Sequence, residues 1–261
     1  MIDGALRHER AVLAAGLAAM AVLAWIYIWE GAGMGMSALS MTTMSLFPHL
    51  QPEVPGQMED GWTLVITMWW VMMIAMMTPS ATPLILLYGR VIRHHAGAGQ
   101  KIYLPSLALL TGYLTAWLIF SVAAAAFQKA LQPAGLISEM MFWSRSATLS
   151  ASVLFVAGLY QFSGVKQACL VQCRSPVRFL TEHWRPGYWG SFMLGIRHGT
   201  FCVGCCWTIM LLLFVGGVMN LIWIAVLTLF VLAEKFLPAG ARFGKWSGGL
   251  LIIWAIATFV V

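Results

Sequence analysis

Apolar and polar positions change along this chain in blocks of about 20 residues, not with the short period of a surface helix or strand. A helical bilayer crossing takes about 20 apolar residues. Runs of that size cover 11–29, 63–88, 103–127, 147–168, 190–215, 218–237 and 245–261. The seven runs predict an all-α, polytopic transmembrane helical bundle that forms one domain over residues 1–261. Between the fifth and sixth runs the sequence Gly216–Gly217–Val218–Met219–Asn220 predicts a tight helical hairpin, with Asn220 capping a helix or hydrogen-bonding in the turn. The first run follows a basic segment and shows no small-x-small cleavage site leading into polar sequence. It reads as a retained helix.

Composition agrees with the pattern. Apolar residues make up 61% of the chain, charged residues 9%, and the mean hydropathy is +0.83. A soluble domain carries roughly 25% charged residues. The net charge of +6 therefore speaks of orientation and not of nucleic acid. Arg7, Arg10, Arg90, Arg93, Lys101, Lys166, Arg174, Arg178, Arg185, Lys235, Arg242 and Lys245 all fall on one side of the seven predicted spans. Lys129 and Arg145 fall on the other, and Arg197 lies inside the fifth run. Basic residues concentrate on the cytoplasmic side. The N-terminus is thus expected in the cytoplasm and the C-terminus outside, with membrane lipid as a partner. The first outside connection, 31–61, has no Lys or Arg but holds Met34, Met36, Met41, Met44, His49 and Met58.

Sulfur is the chemistry that stands out. Cys202, Cys205 and Cys206 sit at i, i+3 and i+4, so a helix puts all three on one side, and His198 extends the stripe by a turn. In the second run, Met68, Met72 and Met76 form one stripe, with Met73 and Met77 beside it. Cys169 and Cys173 make a further i, i+4 pair. Each feature has a plainer reading, since Met and Cys are common fillers of apolar cores. Together they suggest soft ligands of the kind that select Cu(I). Zinc fits less well, because a structural zinc site takes four ligands and these cysteines are split between two places. Met76 and Cys205 lie about 14 and 15 residues into their runs from opposite faces. At about 1.5 Å per residue both fall near the bilayer midplane.

No Ser-His-Asp set, phosphate-binding glycine loop or carboxylate pair occurs, so no enzyme activity is expected. The leading expectation is a membrane protein that binds Cu(I) through His198, Cys202, Cys205, Cys206, Met72, Met73, Met76, Met77, Cys169 and Cys173. It would serve transport or delivery to a cuproenzyme or copper chaperone partner. The alternative is an accessory subunit of a larger membrane copper enzyme, such as an oxidase or monooxygenase. A thiol redox relay is disfavoured, because the cysteines of the fifth run lie at hydrocarbon depth, where a thiol is a poor nucleophile. Glu234, near an end of the sixth run, is expected to pair with Lys235 or Arg197, or to snorkel.

The blocks MWWVMMIAMMTPSATPL, YQFSGVKQACLVQCRSP and GTFCVGCCWTIMLLLFVGGVMNLIWIAVLTLFVLAEK resemble a family of bacterial predicted metal-binding integral membrane proteins, some labelled copper chaperones. The resemblance covers roughly 62–240. It implies a metal-linked membrane protein, with Met72, Met73, Met76, Met77, Cys169, Cys173, Cys202, Cys205, Cys206 and Glu234 inside the family's motif blocks. The Met-rich connection lies outside them.

Overall fold

The computed structural model describes residues 2–33, 37–46, 61–96, 103–138 and 142–260. Met34, Met36, His49 and Met58 lie outside them, as do the side chains of Met41 and Met44. Eleven helices follow one another among the described residues: α1 (Ile2–Trp29), α2 (Ala38–Leu46), α3 (Trp62–Ala96), α4 (Tyr103–Leu131), α5 (Ala147–Gln161), α6 (Gly164–Arg174), α7 (Pro176–His183), α8 (Gly187–Leu211), α9 (Leu213–Gly216), α10 (Leu221–Phe236) and α11 (Gly240–Val260). The fold is all-α; an isolated bridge between Ile137 and Ser144 is the sole β pairing described.

Among the described residues five segments are long and apolar enough to cross a bilayer: Glu9–Trp29, Trp62–Arg93, Tyr103–Leu131, Gly187–Gly216 and Gly240–Val260. The pair α5 and α6 makes a sixth, but is bent by 66°. The straight helix expected over 147–168 breaks because the Ser163 hydroxyl accepts the Lys166 N–H (3.1 Å) and starts a new helix. The expected crossing over 218–237 is the 16-residue α10. At about 1.5 Å per residue it is shorter than a hydrocarbon core of about 30 Å.

α3 is the central helix. Val65, Met68, Trp69, Met72, Met73, Met76 and Met77 are at most 1% exposed, and the stripes pack inward as core. α4 and α8 pack backbone to backbone. A Cβ on Gly112 would fall on the Phe192 carbonyl, and one on Gly195 on the Leu109 carbonyl. Small residues allow that approach between apolar helices.

Contacts sort the connections into two ends. At one end Thr42 Oγ1 accepts the Leu221 N–H (2.9 Å) and Phe214 O accepts the Ser144 N–H (2.7 Å). There Gly217 takes φ 95° in the α9–α10 turn, and Asn220 caps α10 by accepting the Trp223 N–H at 3.2 Å, as its sequence predicts. At the other end Arg93 near the end of α3 pairs with Glu9 near the start of α1. Tyr88 Oη meets Ser191 Oγ at 2.5 Å, joining the same part of α3 to the start of α8.

Two residues counted as interfacial charges are buried inside the fold. Lys166 is fully buried and Lys235 is 6% exposed. Both are drawn into the core by specific partners.

Candidate metal centre

Cys202, Cys205 and Cys206 stand on the buried face of α8, each at most 1% exposed. Two thiols turn back on their own helix: Cys205 Sγ donates to the Cys202 carbonyl at 3.1 Å and Cys206 Sγ to the same oxygen at 2.8 Å. That carbonyl acceptor holds both rotamers.

α6 brings the other two cysteines to this face, running antiparallel to α8. Cys173 Sγ is 4.0 Å from Cys205 Sγ and also interacts with Cys202. Cys169 packs on Gly204, where an added Cβ would stand 2.8 Å from its sulfur. Gly204 is therefore the gap in the α8 surface that admits α6. Tyr160 Oη donates to the Gly204 carbonyl at 2.5 Å and fixes the level of the contact. The pair at 169/173 and the triplet at 202/205/206 form one cluster. Lys235, in the last turn of α10, reaches this cluster.

Lys235 Nζ is 2.9 Å from Cys202 Sγ and 3.0 Å from Ser80 Oγ. A buried ammonium needs a counter-charge or it is strongly unfavourable. Cys202 as thiolate is the partner within hydrogen-bond distance that can supply one. Tyr113 Oη approaches the same sulfur at 3.2 Å and donates to the Met77 carbonyl at 3.1 Å. The Ser80 hydroxyl donates to that carbonyl too, at 2.8 Å. The methionine helix and the cysteine helix are thus joined through Tyr113 of α4 and Lys235 of α10. The link runs to the main chain of Met77, and the thioethers of Met72, Met73, Met76 and Met77 remain packed in the core.

His198 lies one turn before Cys202 and is 2% exposed. Its ring stacks on Tyr113 (centroids 5.7 Å) and meets Phe179 edge-on (5.0 Å), and its Nδ1 has no hydrogen-bond partner. Among the described residues no group of three or more His, Cys, Asp or Glu side chains is arranged to hold a metal ion. The Cys173 and Cys205 sulfurs stand 4.0 Å apart, and an ammonium stands beside Cys202.

Glu234 pairs with neither Lys235 nor Arg197. Both of its oxygens accept from Lys166 Nζ, at 2.9 and 2.8 Å, with both side chains buried. Adjacent residues of α10 point to different neighbours: Glu234 ties it to α6, Lys235 to α3 and α8.

A family model described as a copper chaperone, PpoB2, matches residues 66–258. The chain belongs to the PpoB2 family. No curated protein and no solved structure matches it. The PpoB2 match takes in the methionines of α3, the cysteines of α6 and α8, and Lys235, and leaves out α1, α2 and the Met-rich connection. Tyr113, Lys166 and Lys235 hold the helices that carry the cysteines, and spacing did not reveal them. For two of them a signal was present: Lys166 adjoins the Cys169 block, and the Glu234–Lys235 doublet interrupts an apolar run, where ionisable residues are functional candidates.

Proposed function

We propose that this chain is a membrane Cu(I)-binding protein that holds copper as cargo between α6 and α8. In this reading it crosses the bacterial inner membrane seven times, α10 being the short crossing. The N-terminus is cytoplasmic and the cluster lies toward the cytoplasmic face. Without Lys166 and Lys235, ten basic residues still face two across the bilayer, which supports that orientation.

The observation that carries the reading is the convergence of α6 and α8 cysteines beside a buried ammonium. For a metal–sulfur bond of about 2.3 Å, as in zinc thiolate sites, sulfurs 4.0 Å apart subtend an angle of about 120°. Cys173 and Cys205 are the first pair of ligands, and Cys202, in contact with Cys173, is the third. Thiolates suit Cu(I), and Lys235 offsets part of their negative charge. The buried methionines of α3 form a second, weaker soft-ligand rank. Binding and hand-over to a copper-requiring partner is the role proposed, without catalysis.

Anaerobic Cu(I) titration of the purified full chain against a chromophoric Cu(I) chelator tests this. One tightly held Cu(I) per chain is expected. Cys202→Ser and Cys205→Ser are each expected to weaken it by on the order of a hundredfold, the loss of one anionic ligand from a dry site. A wild-type chain that leaves all copper with the chelator contradicts the proposal.

Lys235→Met gives a second check. Removing one partner of a buried charge pair strands the other, but a thiolate, unlike a carboxylate, can take up a proton near neutral pH and become a small apolar thiol. The variant is therefore expected to lose less than the roughly 3–5 kcal/mol of a stranded charge while binding Cu(I) at least about tenfold more weakly, having lost one buried counter-charge. Unchanged affinity would show that Lys235 is structural only.

A further inference from the structure

Beside the first half of α8 lies a cavity of about 420 Å³, lined by His183, Arg185, Leu194, Ile196, Arg197 and Phe201 among others, with walls that are mostly apolar. Two guanidiniums border it. Neither Arg185 nor Arg197 makes an ion pair among the described residues. Glu182, the nearest acid in sequence, is taken: Arg178 Nε donates to it at 2.6 Å and holds its carboxyl below the ordinary carboxylate range.

The level of the cavity follows from exposed aromatics. Trp184, Tyr188 and Trp189 are 38%, 60% and 70% exposed around the start of α8. Such rings gather at the headgroup level of a bilayer, which puts Arg185 there as well. Arg197 is eight residues beyond Trp189, or about 12 Å along the axis, within the apolar part of the span. A guanidinium at that depth needs an anion or must reach back to the interface. The cavity offers a path for that reach and an apolar slot beside it.

We propose that this cavity binds one anionic phospholipid, its phosphate held by Arg185 and Arg197 and the first part of an acyl chain lying along Leu194, Ile196 and Phe201. Charge complementarity selects the occupant: two uncompensated cations over an apolar slot match a lipid that is anionic at the head and apolar below. The inference rests on the membrane placement of α8 and is independent of copper binding.

Native mass spectrometry of the full chain in neutral detergent, offered equal amounts of phosphatidylglycerol and phosphatidylcholine, tests it. One phosphatidylglycerol is expected to be retained in preference. The double variant Arg185→Gln/Arg197→Gln is expected to lower that retention by on the order of thirtyfold, the scale for two basic residues at a lipid surface. Arg197→Lys is expected to keep most of it. Equal retention of the two lipids by the wild-type chain overturns the proposal, whether or not the variants fold. So does a double variant that retains phosphatidylglycerol as wild type does, or displacement of the lipid by millimolar inorganic phosphate, which would mark the site as one for free phosphate.

Discussion

Glu234→Gln is expected to destabilise the chain by about 3–5 kcal/mol, the scale for removing one partner of a buried ion pair. Lys166 Nζ reaches both Glu234 oxygens, and the side chains are 0% and 2% exposed. The substitution leaves an ammonium with a neutral amide in its place. Lys166→Met is expected to be similarly harmful, because it strands the carboxylate. The double change Lys166→Met/Glu234→Leu removes both charges and should recover most of the loss. Chemical unfolding in detergent, followed by tryptophan fluorescence, measures all three. Single variants as stable as wild type would mean that water reaches the pair.

A second readout separates anchoring from bulk stability. Lys166 lies in the first turn of α6 and Cys173 near its end, so the ion pair helps fix where Cys173 meets Cys205. In the surviving folded fraction, Glu234→Gln should lower Cu(I) affinity as well, and the compensated double variant should restore it in part.

The long apolar helices were legible in the sequence because apolar run length alone specifies helices in a bilayer. The hairpin at Gly217 and the Asn220 cap were legible for a local reason: turn geometry depends on the residues in the turn. The kink at Phe162–Ser163 was not, because a serine inside an apolar run reads as a neutral substitution until its hydroxyl is seen to cap a helix. The stripe of Cys202, Cys205 and Cys206 followed from helical spacing. Its meeting with Cys173 depends on the antiparallel approach of α6, which no periodicity encodes. The burial of Lys235 was not legible, because hydropathy counts a lysine as an end of a span and cannot show the sulfur 2.9 Å from its Nζ. The methionines are a different case. Their spacing was read correctly, and the same spacing serves core packing around Trp69 and Tyr113.

Gly195→Val is expected to cost more than about 3 kcal/mol, the upper part of the range for overpacking, and to weaken Cu(I) binding. Most overpacked sites relax by moving a side chain. Here a Cβ would land on the Leu109 carbonyl, with Tyr113 N at 2.9 Å, so α4 itself must move. Gly112 and Gly199 face the same seam, where added Cβ atoms would meet the Phe192 carbonyl and Ala116 Cβ. The shift therefore cannot be absorbed one turn away. α4 carries Tyr113 and α8 carries Cys202, so separating them stretches the 3.2 Å contact on which the joint between the methionine and cysteine helices depends. Gly16→Ala and Gly249→Ala are the controls. Nothing lies within 4 Å of an added Cβ at either, and alanine in a helix is favoured over glycine by roughly 0.5–1 kcal/mol. Both are expected to be as stable as wild type or slightly more so, with unchanged copper affinity. If Gly195→Val unfolds at the same denaturant concentration as these controls, the backbones of α4 and α8 do not touch, and Tyr113 cannot be placed against Cys202.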